Sequence, residues 1–446
     1  MPLTRWVFGL AWAFSLSAAA AGVTVGQLRC DYLDNPLGID TPQPRLSWVL
    51  ESAQRAQQQT AYQVLVASSE ALLKDDTSDL WDTGKVASDQ TLHVVYAGKG
   101  LSSCQRCYWK VRVWDKDGKP SAYSRPARWE MGLLSPRDWL GQWIGRTTDT
   151  NALPAPLFRR AFTLEGSIKQ ARAYICGLGY YELYLNGRKI GDHLLDPGYT
   201  RYDRRALYVT YDVTEALRRG KNAVGVMLGN GWYNVQTKAV WDFHQAPWRA
   251  APKLLMQLRV EYADGRVETI GTDSHWRTGT GPITFNSIYG GETYDARAEK
   301  PGWDTPDYDD AGWSAAEVVL PPGGRLVAQM MPPIKASQSL KPVRLAEPKP
   351  GVYVFDMGQN LAGFAELHLR APADTRVVMK YGERLGKDGL LDRADIQQHV
   401  VKVDASQQFQ TDTYILKGRG LERWHSRFVY HGFQFIEVTG LPVRPT

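Results

Sequence analysis

Two short stretches gather the residue types from which sugar chemistry could be built. In "YGGETYDAR", Glu292, Tyr294, Asp295 and Arg297 stand close together. These groups could hydrogen-bond sugar hydroxyls, or the arginine and a carboxylate could form a buried pair holding two sheets together. In "GNGWYN", Trp232 and Tyr233 follow a Gly-rich turn, where an aromatic face could stack against the apolar face of a sugar ring. Hydrolysis demands more, because a glycosidase sets its acid and base on opposite sides of the bond, roughly 5 to 9.5 Å apart. Glu292 with Asp295, or Glu383 in "YGERL", supplies the residue type. Position along the chain does not supply the separation in space.

Other chemistries lack their signatures. There is no G-x-S-x-G, H-E-x-x-H or Walker A sequence, and "GLGYYE" and "GNGWYN" lack the third glycine and βαβ setting of a dinucleotide site. His425 and His431 flank "SRFVY" without a recognisable nucleophile, which reads as structural. Cys104 and Cys107 have C-x-x-C spacing, compatible with a local disulfide, a redox pair or half a zinc site. No second pair follows, and "YWKVRVWD" after them is strand-like, which favours a structural role. The expected cofactor and metal complement is therefore none. Net charge is +6, with basic residues scattered and no aromatic ladder beside them, so nucleic acid is not an expected partner.

The elements that must position these residues are strands. The chain has 446 residues, with Trp 16, Tyr 22, Gly 41 and Pro 25, a composition that suits pleated surfaces and tight turns. Residues 1–21 combine Arg5, an apolar run and Ala19, Ala20 and Ala21, the layout of a secretory leader. They predict a secreted or periplasmic protein, cleaved near Ala21, with no membrane span in the mature chain. Alternating segments and two Pro-rich joints then divide the chain into three sandwiches, an all-β fold. The divisions fall at 22–135, of immunoglobulin-like size; 155–325, a jelly roll; and 333–442, a further sandwich. Asn186-Gly187 predicts a hairpin, and "SSEALLKDD" a single short helix capped by Ser68 or Ser69.

Several long motifs carry a family resemblance. "LRCDYLDNPLGIDTPQPRLSWVLES", "YYELYLNGRKIGDHLLDPGYTRYDRRALYVTYDVTEALRRGKNAVGVMLGNGWY", "YGGETYDAR", "VFDMGQNLAGFAELHL" and "SRFVYHGFQFIEVTG" resemble, in that order, the non-catalytic part of bacterial α-L-rhamnosidases. The resemblance implies a fibronectin-like domain, a jelly roll and a concanavalin-like sandwich ahead of an (α/α)₆ barrel. That barrel hydrolyses terminal α-L-rhamnosyl linkages with inversion and holds both carboxylates. The strand "FQFIEVTG" resembles the last one before the barrel, so the resemblance assigns no catalytic residue to this sequence. Implied partners are a rhamnose-containing glycan and a separately encoded barrel, docked on an apolar face near Phe428, Tyr430 and Phe433 unless these pack inward. Some relatives use calcium in the jelly roll, but Gly177-Leu178-Gly179-Tyr180 offers no carboxylate where they place ligands. A stand-alone lectin and an active hydrolase using Glu292, Asp295 or Glu383 are the competing readings.

Overall fold

The computed structural model describes residues 22–151, 154–400 and 408–445. The expected leader, residues 1–21, lies outside them. Strands dominate, and the described helices are the short segments Glu70–Lys74 and Ala394–Gln397 with a few 3₁₀ turns. The contacts divide the chain into two units.

The first unit comprises the described residues up to Pro36 together with Thr41–Met131. Its smaller sheet pairs Thr24–Cys30, Arg45–Glu51 and Val94–Val95. The larger orders Trp81–Asp82, Ala61–Ala67, Arg106–Trp114 and Ala127–Glu130, with Val86–Ala87 also paired to Ala61–Ala67. Trp48, Trp109 and Trp129 are fully buried between them. Ser69 caps the single helical turn by accepting the Leu72 N–H at 3.5 Å. No disulfide joins the cysteines, and burial pushes the Cys107 thiol up to about 12, an inert structural setting.

The second unit comprises Leu37–Asp40 and the described residues from Gly132 onward. One six-stranded sheet runs in the order Arg188–Lys189, Tyr180–Leu185, Gly220–Gly229, Pro156–Leu164, Arg277–Thr280 and Ser314–Ala315. At the expected hairpin, Asn186 and Gly187 both take positive φ, at 51° and 83°, as a type I′ turn requires. A second sheet, built around Lys253–Tyr262, Ile168–Leu178 and Arg205–Asp212, packs on one face of the first. A third, seven-stranded sheet orders Ile283–Ser287, Gly291–Asp295, Thr411–Ile415, Arg376–Gly382, His431–Thr439, Val352–Gly363 and Arg344–Lys349.

The six-stranded sheet is covered on both faces, and its side chains divide accordingly. Tyr181, Leu183 and Leu185 enter one core with Val224, Val226 and Phe158. Their alternates Tyr180, Met227 and Leu157 enter another, shared with Val377, Met379, Tyr381 and Phe433 from the C-terminal sheet and with Phe428 from the loop before its strand His431–Thr439. The hairpin Ile283–Asp295 crosses the division expected from sequence. Although it lies within 155–325, Gly291–Asp295 pairs in parallel with Thr411–Ile415. The jelly roll thus lends two strands to the last sandwich.

Candidate functional site

Two arrangements contain the residues singled out from the sequence. The first is buried. Glu292 sits at the centre of the crossing strand with no exposed surface, and its carboxylate accepts the N–H of Arg427 at 3.1 Å and of Phe428 at 3.1 Å. The Glu292 N–H donates to Asp412 Oδ1 at 2.9 Å. Asp412 also takes the Tyr381 hydroxyl at 2.9 Å and faces His431 Nε2 at 3.0 Å, with the Tyr381 and His431 rings stacked at 4.1 Å. Burial and the neighbouring Asp412 push Glu292 up to about 8, against the opposing pull of the two backbone N–H groups.

A second carboxylate nearby is held the other way. Glu182, on the face of Tyr180–Leu185 turned toward the C-terminal sandwich, meets Arg427 Nη1 at 2.7 Å and Lys189 Nζ at 2.8 Å. Burial alone would raise it, but Arg427 and Lys189 outweigh burial and bring it down to about 2. Opposed carboxylates are the pattern of an acid and a base. Here both are sealed: Glu182 and Glu292 are buried, so neither presents an oxygen to a glycosidic bond. Asp295 is tied to Arg297, at 2.8 and 2.6 Å, and Arg297 also pairs with Asp374. Glu383 lies apart on the exposed surface. The carboxylates named as possible hydrolytic groups share no open cleft.

Tyr294 belongs to this interior as well. Its ring stacks on Tyr414 at 5.7 Å, and its hydroxyl donates to Glu299 at 3.1 Å. The "YGGETYDAR" cluster therefore binds strands together, and only Arg297 of its four named side chains is exposed. Phe428 and Phe433 also pack inward, leaving Tyr430 exposed from the expected docking face.

The second arrangement is an aromatic surface. Half-buried Trp232 meets Phe243 at 5.1 Å, Tyr289 at 5.5 Å and Tyr199 at 5.8 Å, and Trp241 stacks on Tyr289 at 5.6 Å with the planes 19° apart. Tyr199 and Trp241 are 45% and 55% exposed, so two rings of the cluster face solvent. Tyr233 turns inward, 1% exposed, against Tyr202. Only Trp232 of this cluster was singled out from sequence, beside its glycine turn; the aromatic density of "VWDFHQAPW", the one signal that could have found Trp241 and Phe243, was missed. Among the described residues no group of three His, Cys, Asp or Glu could hold a metal.

Comparison with known proteins places the architecture. Residues 25–135 match the Rha78A-like N-terminal immunoglobulin domain, 166–338 the alpha-L-rhamnosidase N-terminal domain, and 346–446 the bacterial alpha-L-rhamnosidase concanavalin-like domain. The chain belongs to the bacterial α-L-rhamnosidase family. An alpha-L-rhamnosidase of Formosa agariphila is 36% identical over 435 residues, covering 92% of this chain and 45% of the relative. The solved alpha-L-rhamnosidase from Dictyoglumus thermophilum is 40% identical with a TM-score of 0.87, covering 95% of this chain and 47% of that one. The Streptomyces avermitilis enzyme, solved in complex with L-rhamnose, is 29% identical with a TM-score of 0.89, covering 95% and 56%. The chain thus spans about half the length of the rhamnosidases it matches. Glu182 and Glu292 fall in the N-terminal-domain match, and Asp412, Arg427 and His431 in the concanavalin-like match. The buried network therefore ties two of the family's domains together.

Proposed function

We propose that this chain is the non-catalytic β-part of an exported α-L-rhamnosidase. It holds the hydrolytic domain and offers the aromatic surface around Trp232 to rhamnose-containing glycan. The observation that carries the reading is the burial of Glu182 and Glu292, with exposed Glu383 standing apart from them, within a fold matched by the family's N-terminal and concanavalin-like domains. Hydrolysis needs a proton donor at the leaving oxygen and a base that activates water. On this reading both lie in the part of the longer relatives that this sequence does not span, whether on one chain or on a separately encoded barrel. Tyr199 and Trp241 supply open ring faces for sugar C–H groups, and residues 1–21 supply the export signal.

The chain alone should not turn over an aryl α-L-rhamnoside above the buffer rate, and a separately expressed barrel should restore activity on mixing. Turnover by the chain alone that Glu383→Gln abolishes would replace this reading with that of an active hydrolase. Mass spectrometry of exported protein should begin after Ala21. An intact Met1 on the exported protein would remove the case for cleavage.

A further inference from the structure

The first unit carries a groove that the aromatic surface of the second unit does not explain. It has a volume of about 430 Å³ and draws its lining from both sheets, including Tyr62, Trp81, Asp82, Gln90 and His93. That volume is within the range of small-molecule sites, roughly 300–1,000 Å³.

Its polar groups are held in place with hydrogen-bonding capacity left over. Tyr62 is 7% exposed, yet its hydroxyl makes no hydrogen bond among the described residues. Asp82 Oδ1 accepts from Gln63 Nε2 and Gly84 N, each at 2.8 Å, while Oδ2 engages no described donor. Gln90 Nε2 donates to Leu92 O at 2.9 Å, and its Oε1 engages no described donor. The wall bearing Gln90 and His93 is pinned from inside. Buried Gln59 accepts from Trp48 Nε1 at 3.0 Å and donates to the carbonyls of Ser88 and Gln90 at 3.0 and 2.9 Å. Half-buried Trp81 is steadied edge-on by Tyr96 at 5.3 Å. No lysine or arginine lines the groove, and Asp82 is its one carboxylate.

We propose that this groove is a carbohydrate site for a neutral pyranose, separate from the surface around Trp232. An indole face suits the C–H face of a sugar ring, and acceptors on Asp82 and Gln90 with the Tyr62 hydroxyl suit its hydroxyls. A preordered wall lowers the entropy lost on binding. The lone carboxylate and the absence of a lining cation disfavour acidic sugars.

Calorimetry on the full chain tests this with methyl α-L-rhamnoside, methyl β-D-galactoside, methyl β-D-glucoside and D-glucuronate. At least one neutral glycoside should bind, at least tenfold more weakly to Trp81→Ala and to Gln90→Ala. Gln90 is exposed, so its variant keeps the test valid where Trp81→Ala fails to fold. Three results would overturn the proposal: no neutral glycoside binding, glucuronate binding as tightly, or binding that Trp232→Ala removes while Gln90→Ala leaves it intact. Loss at Trp232 alone would still support the aromatic surface, so the two readings fail separately.

Discussion

Glu292→Gln should remove the pH dependence that one buried carboxyl imposes on the second unit. In the unfolded chain Glu292 titrates near 4.5, and in the fold burial and Asp412 raise it to about 8. A raised acid binds its proton more tightly in the folded state, so its contribution is undiminished below pH 4.5 and declines as pH climbs toward 8. Each pH unit in that window costs about 1.4 kcal/mol. At pH 6 the loss is about 2 kcal/mol, and above pH 8 it reaches about 5 kcal/mol. Glutamine keeps an acceptor for the Arg427 and Phe428 N–H groups and never ionises. Between pH 6 and pH 9 the stability of Glu292→Gln relative to the natural chain should therefore rise by about 3 kcal/mol. Urea unfolding at both pH values, with an unchanged m, reads this directly. Equal slopes with pH for the two proteins would refute an ionisation penalty at this site.

Arg427→Met strands Glu182 with Lys189 as its remaining cation and should cost about 3 to 5 kcal/mol by urea unfolding. Adding Glu182→Gln should recover much of that, and a loss below about 1 kcal/mol would show that the ion pair is solvent-like. Gly229→Ala drives a methyl group into the Phe428 ring and should destabilise by about 1 to 3 kcal/mol, read as a lowered urea midpoint. Trp241→Ala, at an exposed ring, should change stability by no more than about 0.5 kcal/mol while weakening retention on a rhamnosyl-glycan gel.

Much of the fold was legible because it is local. Alternation marked the strands, Asn186-Gly187 marked a hairpin that both residues' positive φ then realised, and Ser68 or Ser69 marked the helix start, which the structure caps with Ser69. The crossing hairpin was not legible, since its partner strand Thr411–Ile415 lies far along the chain and parallel pairing leaves no turn between. Glu182 was hidden for a related reason. Alternation groups it with Tyr180 and Tyr184 opposite Tyr181, Leu183 and Leu185, which reads as a wet outer face. The C-terminal sandwich covers that face and makes Glu182 an interior anion. Trp232 could be picked from its glycine turn, but Tyr199, Trp241 and Tyr289 come from separate loops that only the packed fold brings together.

The covered face also explains why charge is buried at all. The core uniting Leu157, Tyr180 and Met227 with Met379, Tyr381 and Phe433 supplies non-directional attraction between the two layers, which small sliding displacements barely weaken. Directional groups resist sliding: Arg427 reaches Glu182 with its side chain while its own N–H and that of Phe428 are fixed on Glu292. Buried ion pairs often add little net stability over apolar replacements of similar size. We therefore expect register, rather than stability, to depend on this set. A Glu182→Leu, Lys189→Met, Arg427→Met triple variant should unfold within about 2 kcal/mol of the natural chain. Its amides in His431–Thr439 should nevertheless exchange hydrogen faster, because the C-terminal sandwich samples more than one seat. Unchanged exchange would show that shape complementarity sets the register, and a loss well beyond that range would make the ion network a source of stability.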